Sequence, residues 1–141
     1  AQLSESVQEM PPRHAAGVRR TADAQKDAGN RLYKAGKYSE AAQLYTSAHT
    51  IDRTSPTYLL NRSACRQALG EWAEAASDAE RALRLDVGCV KGYTFQIRAL
   101  LQLNSVREAA RVLQSTPMTL VNSHAVLLEL TEQVRVAVKD A

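Results

Sequence analysis

The chain has 141 residues, 45% of them hydrophobic and 23% charged, with a formal net charge of +3. That length suits one core of moderate size, and so mild a positive charge argues against nucleic acid while leaving room for a locally basic groove that attracts an acidic ligand. No run of about 18 apolar residues is present to cross a membrane, and the N-terminus lacks the apolar stretch of a secretory signal.

Alanine and leucine dominate and aromatic residues are only 5%, which favours helices over strands. Residues 1–21 are polar, carry Pro11-Pro12 and Gly17, and read as a loosely held tail. A start at Ala1 without an initiator suggests a piece of a longer protein. Apolar periodicity and turn signals then predict helices near 22–35, 38–52, 56–69, 72–85, 89–103 and 105–115. A seventh, near 122–138, has Asn122 or Ser123 as its cap and Val126, Leu127, Leu130, Val134 and Val138 as its apolar positions.

The middle of the chain repeats itself at a spacing of 34 residues. Gly36 falls on Gly70, Tyr38 on Trp72, Glu40 on Glu74, Ala41 on Ala75, Ala48 on Ala82 and Asp52 on Asp86. A second shift carries Gly70 to Asn104, Glu74 to Glu108 and Ala75 to Ala109. So dense a match at one period marks stacked repeats, at about 22–55, 56–89 and 90–116. Each repeat reads as two helices around a tight turn. Ser55 caps and Pro56 opens a first helix. Gly36, Gly70 and Asn104 stand just past the first helices, where a left-handed backbone is required. Ala41, Ala75 and Ala109 mark the face on which a neighbouring helix approaches closely. Tyr38, Trp72 and Tyr93 read as packing residues. The helix near 122–138 closes the exposed end of the stack.

This spacing resembles that of tetratricopeptide repeat (TPR) domains. The resemblance covers roughly residues 22 to 138 and implies an all-α fold: three helix-turn-helix repeats in a right-handed superhelix plus a C-terminal capping helix. It implies first helices lining a concave groove that binds peptides and does no chemistry. Residues four apart on a helix share a face, so that groove face would carry Lys26, Asn30 and Tyr33, then Asn61 and Ala64, then Lys91, Phe95 and Arg98. No acid interrupts this reading of the face. Lysine ammonium groups and asparagine amides together suit a carboxylate.

The arrangement is similar to the two-carboxylate clamp of co-chaperone TPR domains, which grip the C-terminal EEVD tail of the cytosolic seventy- and ninety-kilodalton heat-shock chaperones. "KDAGN" (Lys26 to Asn30), "LLNRSAC" (Asn61) and "KGY" (Lys91) carry that resemblance. It implies a cytoplasmic, monomeric adaptor domain with Lys26, Asn30, Asn61 and Lys91 as the clamp and Tyr33, Ala64, Phe95 and Arg98 as secondary contacts. One position departs from the pattern: Phe95 stands where the resemblance calls for a basic residue. Arg98, one turn on, is the candidate to reach in instead. The alternative is a TPR scaffold whose clamp has degenerated and which holds another peptide or partner.

Other chemistry finds little footing. Cys65 and Cys89 form neither a disulfide framework nor a CxxC metal site, which suits a reducing compartment. His14, His49 and His124 lack metal-ligand spacing. No phosphate loop, nucleophile elbow or carboxylate pair suggests an enzyme, and no cofactor is implied.

Overall fold

A computed structural model describes the backbone of residues 12–140 and side chains from Gly17 onward. Eight helices follow one another among the described residues: α1 (Pro12–Lys34), α2 (Tyr38–Ile51), α3 (Pro56–Ala68), α4 (Trp72–Leu85), α5 (Val90–Gln102), α6 (Val106–Ser115), α7 (Met118–Ser123) and α8 (Ala125–Asp140). Each of the first five packs on the next in the chain, α6 packs on α8, and α3 also touches α5 directly. The first helices α1, α3 and α5 therefore lie side by side, as a stacked-repeat fold requires.

The three turns inside the repeats, after α1, α3 and α5, share one chemistry. Gly36, Gly70 and Asn104 have φ of 79°, 76° and 58°. After α1, Lys37 N–H donates to the Leu32 carbonyl and Gly36 N–H to that of Tyr33. The same pair of bonds recurs from Glu71 to Arg66 and Gly70 to Gln67, and from Ser105 to Leu100 and Asn104 to Leu101. These bonds satisfy carbonyls that the helix end leaves open, and they need a residue tolerant of left-handed backbone. At the start of α3 the Ser55 hydroxyl accepts from Thr57 N–H, with Pro56 in the first turn. Ala41, Ala75 and Ala109 are wholly buried.

Two boundaries differ from the sequence expectation. The helix expected to begin at residue 22 begins at Pro12, so residues 12–21 are helical rather than part of a tail. Pro12 suits a first turn, where its missing N–H has no helical partner to lose. The Thr21 hydroxyl back-bonds to the Gly17 carbonyl, and Ala22 is fully buried with Ala48 and Tyr58, which anchors this stretch. The rest of the expected tail, residues 1–11, and the side chain of His14 lie outside the described residues.

The closing helix is also broken in two. His124 is extended, at φ −130° and ψ 114°, and its carbonyl receives the first N–H groups of α8, from Leu127 and Leu128. Asn122 and Ser123 therefore belong to α7 and do not cap α8. On one straight helix Val121 and Leu127 would point about 120° apart. The break lets both bury, together with Leu130 and Val134, while Val126 and Val138 stay exposed.

Candidate functional site

Two short words of sequence let α1 and α5 seat closely on their neighbours, through Gly29 and Gly92. In "AGN", a Cβ on Gly29 would lie 2.8 Å from Cε1 of Tyr45, so only glycine lets the ring of α2 reach the Asn30 side of α1. In "KGY", a Cβ on Gly92 would lie 2.7 Å from Cδ2 of Leu83. The close seating of α5 on α4 that this permits sets the position of Lys91. The Tyr93 hydroxyl then ties the helix start down by donating to the Val87 carbonyl at 2.7 Å.

The word "NRSA" in α3 splits between core and groove. Arg62 forms a two-pronged pair with Asp78, Nε to Oδ2 at 2.9 Å and a terminal nitrogen to Oδ1 at 2.6 Å. Arg66 adds a third bond to Asp78 at 2.9 Å, and Arg62 also donates to the Thr46 hydroxyl. Ser63 donates to the Ala75 carbonyl at 2.8 Å. Arg62, Ser63 and Asp78 are buried, so this network fixes α3 against α2 and α4. Asn61 and Ala64 are left facing the groove.

There, residues of four helices line a cavity of about 180 Å³. Its polar side is Asn30, Tyr45, Asn61 and Lys91; its apolar side is Tyr33, Leu60, Ala64 and Phe95. No acid lines it. The Tyr45 hydroxyl donates to Asn30 Oδ1 at 2.5 Å, and Asn61 Nδ2 donates to the same oxygen at 3.4 Å. Two donors on its oxygen orient the Asn30 amide and leave its NH₂ group for a ligand acceptor. Burial, then Cys65 and Tyr33, push the Tyr45 hydroxyl up to about 12, so it remains a donor at neutral pH. Helix-face spacing on the first helices does not single out Tyr45, which lies on a second helix. Its signal was the pairing of a small residue with a large one, Gly29 with Tyr45, where the next repeat has Ser63 and Ala79.

Of the remaining candidates, Lys26 and Arg98 stand apart from this cavity. Phe95 lines it, but its ring also packs on a core of Leu59, Leu60 and Ala82. Arg98 is exposed on α5 and does not reach the cavity. Lys26 lies one turn before Asn30 and does not line it either. Its ammonium is 3.6 Å from Asp23 Oδ1 and 3.9 Å from Asp27 Oδ1. The acid-free face expected from sequence is therefore interrupted, because counting every fourth residue passed over Asp23, three before Lys26, where a helical neighbour also lies. Lys91, by contrast, has no carboxylate within ion-pair distance among the described residues.

Elsewhere the chemistry is unremarkable in kind. A larger cavity of about 680 Å³ between α6 and α8 mixes Arg107 and Arg111 with Glu108 and Asp140, so its charges offset one another. Among the described residues no three His, Cys, Asp or Glu side chains gather as metal ligands. Burial pushes the Cys65 thiol up to about 11, which keeps it protonated and unreactive. No described helix is long and apolar enough to cross a membrane.

No protein-family model matches the chain. It is 33% identical over 97 residues to DnaJ homolog subfamily C member 7 of Mus musculus, a match covering 69% of this chain and 20% of that protein. It is 35% identical over 92 residues to the mitochondrial import receptor subunit TOM70 of Homo sapiens, covering 62% and 15%. The chain thus spans 20% or less of the length of these curated relatives. Among solved structures it superimposes on the first TPR domain of the human RPAP3 protein with a TM-score of 0.77 and 25% identity, over 86% of this chain and 95% of that one. It also superimposes on the first TPR of Spaghetti (RPAP3) bound to the HSP90 peptide SRMEEVD, with a TM-score of 0.75 and 26% identity, over 86% and 93%.

Proposed function

We propose that this tetratricopeptide-repeat domain is a cytoplasmic adaptor that holds the acidic C-terminal tail of a heat-shock chaperone in its concave groove. The observation that carries the reading is the convergence of Asn30, Asn61 and Lys91, from three successive first helices, on one cavity that no acid lines. A terminal carboxylate there meets the Lys91 ammonium and the amide N–H groups of both asparagines. Charge-assisted bonds of this kind contribute roughly 1.5–3 kcal/mol each. Lys26, at the α1 end, is assigned to the second carboxylate. The likeness to a domain bound to a peptide ending in EEVD supports the same ligand class.

The apolar side of the cavity sets what the tail carries beside its carboxylates. Phe95 removes one cationic donor relative to the co-chaperone pattern, a loss of roughly ten- to a hundredfold in affinity for a carboxylate. It supplies instead an apolar wall, continuous with Leu60, Ala64 and Tyr33, for an aliphatic side chain. That same wall favours a second reading, in which the groove takes a different and more apolar peptide.

Calorimetry with a peptide ending in EEVD, set against its C-terminally amidated form, decides between the two. Chaperone-tail recognition requires the free acid to bind and amidation to weaken it at least tenfold. Equal binding of both forms, or of neither, removes the clamp and leaves the apolar groove.

A further inference from the structure

The two lysines assigned to the groove are not equivalent. Lys91 has no carboxylate within ion-pair distance among the described residues, whereas Lys26 is already engaged by Asp23 at 3.6 Å. Asp23 is no loose surface acid. Its Oδ1 accepts a 2.7 Å hydrogen bond from the hydroxyl of Tyr58 on α3, and Tyr58 is itself 2% exposed. The hydroxyl is held as a donor, its proton affinity raised by burial and then by Asp23. The carboxylate beside Lys26 is thus fixed by the packing of α3 on α1, while Asp27, at 3.9 Å and without such an anchor, is an ordinary neighbour.

We infer that Asp23 is an affinity-setting residue: a carboxylate, anchored by Tyr58, that competes with the ligand's own carboxylate for the Lys26 ammonium. The inference rests on the carboxylate-clamp reading above and assigns Asp23 a part in it. A ligand carboxylate reaching Lys26 exchanges one ion pair for another rather than gaining one outright. Lys26 then contributes less than Lys91 does, and the deficit is electrostatic, so it shrinks as salt screens both pairs.

Asp23→Asn tests this, because the asparagine oxygen still accepts from Tyr58 and the shape is unchanged. Calorimetry with the EEVD peptide at low salt is expected to show binding tightened two- to fivefold, the range of exposed ion pairs, with the gain lost by about 0.5 M salt. In a Lys26→Ala background the same substitution is expected to change affinity less than 1.5-fold, and Asp27→Asn is expected to gain less than Asp23→Asn in the native background. Thermal unfolding of each variant shows that the fold is retained. Unchanged or weaker binding by Asp23→Asn overturns the inference and leaves the clamp standing. An equal gain with and without Lys26 also overturns it, since that is general repulsion of an acidic peptide. A native domain that binds no free-acid tail overturns the clamp itself, and the competitor role with it.

Discussion

The Tyr45 hydroxyl donates to the side-chain oxygen of Asn30 at 2.5 Å, so a residue of a second helix orients the amide that a first helix presents to the groove. Without that bond the Asn30 amide is held only by the longer contact from Asn61 at 3.4 Å, and it turns freely. Tyr45→Phe is expected to cost about 1 kcal/mol of stability and roughly fivefold in affinity for a carboxylate peptide. Denaturant melts and calorimetry on the same variant read both; a full loss of stability with intact affinity would assign Tyr45 to the core alone.

The ring of Tyr45 reaches Asn30 only because Gly29 has no Cβ. Gly29→Ala puts a methyl group 2.8 Å from Cε1 of a ring buried to 2% exposure, where no flexible chain end can give way. Overpacking of this kind costs typically 1–3 kcal/mol. Helix propensity alone favours the alanine by about 1 kcal/mol, so the sign of the measured change in unfolding free energy tells which effect wins. Destabilisation is the expected outcome.

Asp78 carries the buried polar network, taking bonds from both Arg62 and Arg66 at 1% side-chain exposure. Asp78→Ala leaves Arg62 buried without its counter-ion, at an expected cost of about 3–5 kcal/mol. Replacing the two together, Arg62→Met with Asp78→Leu, is expected to recover part of that loss, because the buried Arg62 charge is gone and the charge left unpaired is that of Arg66, whose side chain is 26% exposed and reaches water. A double variant no more stable than the single one would show that the network does more than balance its own charges.

Phe95 is the point at which the groove departs from the clamp pattern. Phe95→Arg restores a cation beside Lys91 and is expected to tighten EEVD-peptide binding about tenfold at low salt. It also withdraws a ring from Leu59, Leu60 and Ala82, so a stability loss of about 1–2 kcal/mol should accompany the gain. Unchanged or weaker binding would mean that the ligand uses the phenylalanine surface itself.

His49 makes stability depend on pH. Burial, followed by Arg81, Arg62 and Arg53, holds its proton affinity below the ordinary value of 6.5, with Asp78 opposing. The unfolded chain therefore binds the proton more readily than the folded one. Above about pH 6.5 both states are neutral at this site and the stability is fully present; as pH falls through the depressed folded value it is lost. Urea midpoints measured from pH 7.5 to 5 are expected to drop in the native chain and to drop less in His49→Gln.

The repeats, their turns and their close-packed alanines were legible in the sequence because each answers a local demand that few residue types meet. A left-handed backbone selects Gly36, Gly70 and Asn104, and a helix crossing without room for a side chain selects Ala41, Ala75 and Ala109. Lys26, Asn30, Asn61 and Lys91 were legible as positions on helix faces, since a face follows from spacing. What a face does not tell is which partner each side chain takes. Asn30 meets Tyr45, Arg62 meets Asp78, and Asp23 meets Tyr58 across separations of 15, 16 and 35 residues, and only the packing of one helix on another closes those distances. The Lys26–Asp23 pair needs only helical spacing, three residues along α1; what the tertiary structure alone decided is that this carboxylate is anchored, because the Tyr58 hydroxyl reaches it from another helix.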